Sequence, residues 1–160
     1  MKDKCFLIGV AALVFLAAGC GRQKVPEAMY LDSARIDKPE TRVTYLRKFH
    51  IAQGISIPMN DAQFLDTRMT EKQGRKWVSI GQITATFTLD ASALAEFKSK
   101  LKPIPAPAAY VPAQGPVAWW MSAGEFSTLE FYAAAPILKV SQGFIAIRPS
   151  DNTVFMLGMD

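Results

Sequence analysis

The chain has 160 residues, of which 50% are hydrophobic and 20% charged, and its formal net charge is +4. This composition excludes a disordered chain, a collagen and a coiled coil, and the length suits one domain that buries its own core. Two cysteines exclude a disulfide-dense scaffold, and a single histidine excludes a multi-histidine metal site within one chain. The mild positive charge is spread along the chain, so we expect no nucleic-acid partner.

The N-terminal segment has the pattern of a secretory signal peptide. Lys2 and Lys4 give it a positive start, and residues 6–18 form an uncharged run of 13 residues. A helix of that length spans about 20 Å, which is short of the roughly 30 Å hydrocarbon core of a bilayer. The segment is therefore predicted to be a cleaved signal rather than a transmembrane helix.

The apolar run ends in the sequence LAAGC, which resembles the lipobox of bacterial lipoproteins, although Ala17 stands where that motif usually has Leu. The resemblance implies removal of residues 1–19, a diacylglycerol on the Cys20 sulfur and an acyl chain such as palmitate on its amine. Because the next residue is Gly21 and not Asp, it also implies outer-membrane delivery in a Gram-negative cell, facing the periplasm. The alternative is an ordinary signal peptide that is cut nearby and leaves Cys20 as a free thiol.

The mature chain is predicted to have two parts. Residues 20–40 are polar and contain two prolines, which is typical of a lipidated N-terminus and tether, and residues 41–160 form a single globular domain. In that domain, residues 42–51 are rich in β-branched and aromatic side chains and predict a strand. A short capped helix is predicted over residues 61–69.

A strand and a helix follow one another in the middle of the chain. Apolar residues and threonines alternate in the second half of the predicted strand at residues 76–89, and the alternation changes phase near Gly81. A bulge at Gly81 or burial of both strand faces would explain this change. Asp90 then caps a predicted helix over residues 91–102, which Pro103 ends.

The C-terminal third combines a proline-rich segment with a hairpin. Residues 103–117 hold five prolines, so we expect an extended surface loop outside any central strand. The S-x-x-E pattern at residues 122–125 predicts a helical turn, and a strand over residues 129–133 is the competing interpretation. Two apolar runs, at residues 138–148 and 153–159, predict a β-hairpin around the turn sequence PSDN.

These elements predict an α+β fold, with an antiparallel sheet of about four to six strands, one main helix packed on one face and a C-terminal hairpin. The layout loosely resembles small bacterial lipoproteins and secreted proteins with a strand–helix unit, a Trp-Trp pair and a closing hairpin. That resemblance implies no particular activity.

The sequence offers little support for catalysis. His50 is the only imidazole and lies in a predicted strand, and neither a G-x-S-x-G elbow nor a phosphate-binding loop is present. We therefore predict no catalytic residue, no metal site and no cofactor. The alternative is a small cell-envelope glycan hydrolase that uses paired carboxylates. Its candidate residues are Asp61, Asp66, Glu125 and Glu130.

Tyr110, Trp119 and Trp120 form the candidate binding surface, because they place large aromatic side chains beside the stiff proline segment. Neighbouring residues on an extended chain point to opposite sides, so one tryptophan is expected to be buried and the other partly exposed. The predicted function is a membrane-anchored, non-enzymatic module that binds a protein or an envelope glycan. Inhibitors, immunity proteins and envelope accessory subunits are the plausible subclasses; lysozyme inhibitors are less favoured because they usually carry disulfides.

Overall fold

The computed structural model describes residues 29–73, 76–113, 115 and 117–160. The predicted signal peptide and Cys20 lie outside the described residues. The described part contains a six-stranded sheet, two α-helices and two single-turn 3-10 helices, Ser33–Arg35 and Phe126–Thr128. The main elements are β1 (Met29–Asp32), α1 (Pro39–Phe49), β2 (Gln63–Gln73), β3 (Lys76–Thr88), α2 (Ala91–Ser99), β4 (Glu130–Ala133), β5 (Gln142–Arg148) and β6 (Thr153–Met159).

The strands form one sheet in the order β1-β2-β3-β6-β5-β4, and neighbouring strands are antiparallel throughout. The predicted α+β class with an antiparallel sheet is confirmed. The C-terminal hairpin is also confirmed, since β5 and β6 pair directly around a turn in which Asn152 has a positive φ of 58°. Asparagine tolerates this left-handed conformation better than most residues.

The strand predicted over residues 42–51 is wrong, because this segment belongs to α1. Pro39 occupies the first helical turn together with the acidic Glu40, and basic residues occupy the last turn. Both features favour a helix in this direction of the chain. The buried residues Val43 and Leu46 are three positions apart, so they lie on one helix face.

The helix predicted over residues 61–69 is also wrong, because residues 63–69 belong to β2. Every residue of β2 pairs with β3, and this long-range pairing overrides a weak local helix pattern. The pairing continues without interruption through Gly81, so the bulge considered there is absent from the described register. Residues 83–87 of β3 are buried on both faces of the sheet, which is the second explanation given above for the change of phase near Gly81.

The domain begins earlier in the chain than predicted. β1 pairs with β2 through contacts such as Leu31 with Asp66, and α1 starts at Pro39. The prediction of a tether is therefore wrong for residues 29–40, which belong to the folded domain.

Two hydrophobic cores cover the two faces of the sheet. The core on the α1 and α2 side includes Leu46, Phe64, Phe87, Phe97, Ile145 and Met156. The opposite core is largely aromatic and includes Trp120, Phe126, Phe131, Phe144 and Phe155. Strand alternation separates them, since successive side chains of each strand point to opposite faces.

The proline-rich segment forms the third layer of the domain. Its apolar side chains pack on the aromatic core, and Pro103 bridges Tyr132 at the outer edge of β4. The Ile104 amide donates to the Phe131 carbonyl at 3.0 Å. The segment stays outside the central strands, as predicted, and it covers one face of the sheet.

The remaining local predictions hold in large part. Asp90 caps α2, which ends at Ser99, three residues before the predicted end. The Glu125 amide donates to the Ser122 hydroxyl at 3.3 Å and the 3-10 turn Phe126–Thr128 follows it. Because β4 begins only after that turn, the two competing interpretations of this segment are both present, one after the other.

Candidate functional site

Two of the three predicted binding residues help to hold the domain together. Trp120 is only 7% exposed, its Nε1 donates to the Val111 carbonyl at 2.9 Å, and its ring meets Phe155 edge to face. The Tyr110 hydroxyl donates to the Met121 carbonyl at 2.8 Å. Both side chains therefore fasten the proline-rich layer to the aromatic core. Trp119 is half-buried, so the expectation of one buried and one partly exposed tryptophan is confirmed.

Trp119 lines an open cleft of about 580 Å³ at the end of the sheet where β2 begins and β3 ends. We call it the Trp119 cleft. Its polar lining comes from the segment that leads into β2, from threonines of β3 and β6, and from three charged side chains, Asp61, Asp90 and Arg148. It thus combines one large aromatic side chain with several hydrogen-bonding groups.

Asp61 is held in place by Arg42 of α1. The guanidinium Nε and one terminal nitrogen each donate to a different Asp61 carboxylate oxygen at 2.7 Å, and a further Arg42 nitrogen donates to the Ile36 carbonyl. Such two-point contacts fix both direction and distance. The hydrogen bond from Arg42 lowers the pKa of Asp61, which therefore stays ionised.

Asp90 carries the second carboxylate of the cleft. Its Oδ1 accepts from the Ala93 amide and from the Ser92 hydroxyl, each at 2.7 Å. These hydrogen bonds, the Ala93 amide first, lower the pKa of Asp90, because they stabilise the ionised form at the start of α2. No cation among the described residues pairs with it, and it is exposed.

Arg148 on β5 is the cation of the cleft. It contacts Asp151 at 2.9 Å and Glu125 at 3.1 Å, and its guanidinium lies 5.3 Å from the centre of the Phe155 ring. The hydrogen bond with Asp151 is the main reason why the pKa of Arg148 is raised and that of Asp151 lowered. Its single positive charge is thus shared between two carboxylates.

The four carboxylates proposed from the sequence are held by different partners. Asp61 is bound by Arg42 and Glu125 by Arg148, whereas Glu130 contacts Lys98 at a different place. The hydrogen bond from Lys98 lowers the pKa of Glu130. Asp66 lies in a second cleft. Sequence reasoning identified Asp90 only as a helix cap, and no local signal places it beside Trp119.

The second cleft has a volume of about 200 Å³ and contains a buried hydrogen-bond network. His50 Nε2 lies 2.9 Å from Asp66 Oδ2, and the Tyr45 hydroxyl donates to the same oxygen. His50 and Asp66 are 7% and 3% exposed. We call this the His50 cleft. The expectation of a histidine within a strand is wrong, because His50 is the C-cap of α1.

An imidazole that a carboxylate orients is one half of the arrangement used in nucleophilic catalysis. The other half is a hydroxyl or thiol, and the described residues that line the His50 cleft include no Ser, Thr or Cys. The network joins the end of α1 to β2 across the larger core, since Tyr45 also stacks on Phe64 with 5.0 Å between ring centres.

Two further properties concern the described part of the chain only. Its His, Cys, Asp and Glu residues include no group of three or more that could hold a metal ion. Neither of its two helices has the length and hydrophobicity needed to cross a bilayer.

Comparison with known proteins returned no matching family model, no matching curated protein and no matching solved structure.

Proposed function

We propose that this protein is a lipid-anchored envelope protein that binds a glycan, without cleaving it, in the Trp119 cleft. The observation that carries the proposal is the half-buried tryptophan on the wall of an open cleft with polar side chains around it. A cleft of about 300–1,000 Å³ with few, well-placed polar groups is typical of small-ligand sites. Its concave shape favours an oligosaccharide over the flat surface of a protein partner.

The chemistry of the lining suits a sugar. The flat apolar face of a tryptophan can cover the C–H groups of a sugar ring, and aromatic rings contribute large contact areas. Carboxylate, amide and hydroxyl groups can bind the sugar hydroxyls, and the cleft offers all three through Asp61, Gln63 and Thr88. Asp61 is already fixed by Arg42, so less freedom is lost on binding.

Asp61 and Asp90 both line the cleft, so hydrolysis by paired carboxylates is the alternative to consider. A glycosidase needs one carboxyl group that is still protonated near neutral pH, which requires a raised pKa. Hydrogen bonds lower the pKa of both residues instead, from Arg42 in one case and from the start of α2 in the other. Two carboxylates whose pKa values are lowered support binding, and neither has the raised pKa that a general acid requires.

The anchor is part of the same proposal and rests on the lipobox resemblance at Cys20. An acylated cysteine with two or more chains is held firmly at a membrane. Only eight residues separate Cys20 from the start of β1 at Met29, a distance of at most about 30 Å when extended. We propose that the domain sits close to the outer membrane and faces the periplasm, where envelope glycans are within reach.

Calorimetric titration of the processed full-length protein in detergent tests the glycan proposal. The probes are tetramers of N-acetylglucosamine and of glucosamine. We expect at least one to bind, and Trp119→Ala to weaken it roughly ten-fold, which equals about 1.4 kcal/mol. Phe49→Ala is the matched control, because Phe49 is 42% exposed and lines the His50 cleft. Absence of binding by both tetramers, or loss with Phe49→Ala but not with Trp119→Ala, would overturn the proposal.

Fractionation of cells that produce Cys20→Ser tests the anchor. We expect the wild-type protein in the membrane fraction and the variant in the soluble fraction, since the variant lacks the acylated sulfur. Intact-mass measurement of the wild-type protein provides an independent reading. A mature terminus without added fatty acid would contradict the anchor and leave the cleft proposal to its own test.

A further inference from the structure

We infer that the ligand of the Trp119 cleft carries positive charge, and that its class is an amine-bearing glycan such as an oligosaccharide of glucosamine units with free ammonium groups. This inference rests on the proposed function of the same cleft. It follows from the balance of charges around the lining and from the side chains that are already engaged.

The charged side chains that line the cleft, together with their ion-pair partners, leave an excess of carboxylate. Asp61 and Arg42 neutralise one another in a two-point ion pair. Arg148 faces two carboxylates, those of Glu125 and Asp151, so this group of three carries about one negative charge. Asp90 adds another negative charge, of which the positive end of α2 offsets roughly half. The field in the cleft therefore favours a cationic ligand.

Asp90 is placed to receive such a ligand. Two hydrogen bonds, from the Ala93 amide and the Ser92 hydroxyl, end on Oδ1, and the Ser92 amide also donates to the carboxylate. An ionised carboxylate offers about four acceptor sites, so exposed Asp90 can also accept a hydrogen bond from a ligand ammonium without breaking the helix cap. Trp119 lines the same cleft, and a cation near the face of a tryptophan is attracted by the ring electrons.

The same contacts disfavour an anionic glycan. Arg42 and Arg148 are each held by carboxylates in charge-assisted hydrogen bonds. A uronate or sulfate group would have to displace one of these carboxylates and would also meet the negative charge of Asp90. The cleft is therefore expected to rank an ammonium sugar above a neutral sugar, and a neutral sugar above an acidic one.

Calorimetric titration of the processed full-length protein with three tetramers tests this ranking. The tetramers are those of glucosamine, N-acetylglucosamine and galacturonic acid, at about pH 5.5, where amines with ordinary pKa values are protonated. We expect the glucosamine tetramer to bind about five-fold more tightly than the N-acetylated one. A gain of this size is typical of one additional contact between opposite charges at a solvent-exposed surface. This preference should shrink as the salt concentration rises.

Asp90→Asn removes the charge and keeps the cap, since asparagine caps helices about as well as aspartate. We expect it to abolish the five-fold preference for the glucosamine tetramer over the N-acetylated one. The matched control is Asp32→Asn, because Asp32 caps the Ser33–Arg35 turn through the Ala34 amide at 2.8 Å and is not among the residues that line the cleft. This control should keep the preference.

The outcomes separate the two proposals. Equal affinity of wild-type protein for the glucosamine and N-acetylglucosamine tetramers would overturn the charge inference while the glycan proposal stands. If the galacturonic acid tetramer binds more tightly than the N-acetylglucosamine tetramer, the charge inference is overturned as well. Failure of all the tetramers to bind would overturn the proposed function itself. Thermal unfolding of Asp90→Asn verifies that any loss of preference occurs in a folded protein.

Discussion

Thr84 in the centre of β3 provides a sharp test of how the buried sheet is stabilised. It is 1% exposed, and its Oγ1 has no hydrogen-bond partner among the described residues. Burying an unpaired hydroxyl costs about 1–3 kcal/mol in protein mutational data. Thr84→Val removes the hydroxyl and keeps the branched shape that strands favour. We therefore expect this substitution to raise the free energy of unfolding by about 1 kcal/mol.

Thr86, two residues along the same strand, is the matched control. It is also buried, but its Oγ1 donates to the Val154 carbonyl at 3.1 Å. Thr86→Val gives up that hydrogen bond, so we expect a loss of about 0.5–1.5 kcal/mol in place of a gain. The two substitutions are chemically identical and should change stability in opposite directions.

Urea unfolding followed by tryptophan fluorescence measures both variants. In a thermal melt, the gain of about 1 kcal/mol expected for Thr84→Val corresponds to a rise of roughly 4 °C in the melting temperature of a domain of this size. If Thr84→Val is destabilised to the same extent as Thr86→Val, the hydroxyl of Thr84 has a partner in solution and the reasoning is refuted. An unchanged urea m-value is the check that the unfolded state is the same.

Two further predictions concern a close backbone approach and an ion pair. Gly143→Ala should destabilise the domain by more than about 3 kcal/mol, because Gly143 has a φ of 141° and a new Cβ would lie 2.0 Å from the Leu157 carbonyl oxygen. Thermal melts measure this loss, and Gly54→Ala is the control, since Gly54 also has a positive φ but faces open space. A loss of stability in Gly54→Ala as large as that in Gly143→Ala would contradict the steric explanation. The hydrogen bond from Arg42 lowers the pKa of Asp61 below its unfolded value, so its contribution to stability is present above about pH 4 and is lost as the pH falls through the folded pKa. In urea titrations from neutral to acidic pH, the free energy of unfolding of Asp61→Asn should therefore fall less steeply than that of wild type below about pH 4. Identical pH dependences of the two proteins would contradict a stabilising Arg42–Asp61 ion pair.

The central strand–helix unit could be predicted because its signals are local. The alternation at Ile83 to Leu89, the cap at Asp90 and the stop at Pro103 are each encoded within a few neighbouring residues. The closing hairpin is similar, since its turn residues lie directly between the two strands it joins. In these segments local preference and tertiary environment agree, and the predictions hold, apart from the last three residues of the predicted helix, since α2 ends at Ser99.

The predictions fail where distant partners decide. Residues 42–51 have the composition of a strand, yet most of them belong to α1, whose buried face, Val43 and Leu46, packs into the larger core. Residues 61–69 have a helix-like pattern, yet they pair with the strong strand β3. Propensities are small compared with the burial of a whole face or the pairing of a whole strand.

The sequence alone determined the antiparallel α+β class and the aromatic character of the proline-rich region, and it predicts a signal segment with a lipid anchor. Only the tertiary structure decided that Trp120 and Tyr110 are structural, that Trp119 shares a cleft with Asp61, Asp90 and Arg148, and that hydrogen bonds keep both of these carboxylates ionised. The reason is physical: a periodic pattern shows which face of an element is buried, but which side chains meet across a cleft depends on how separate elements pack.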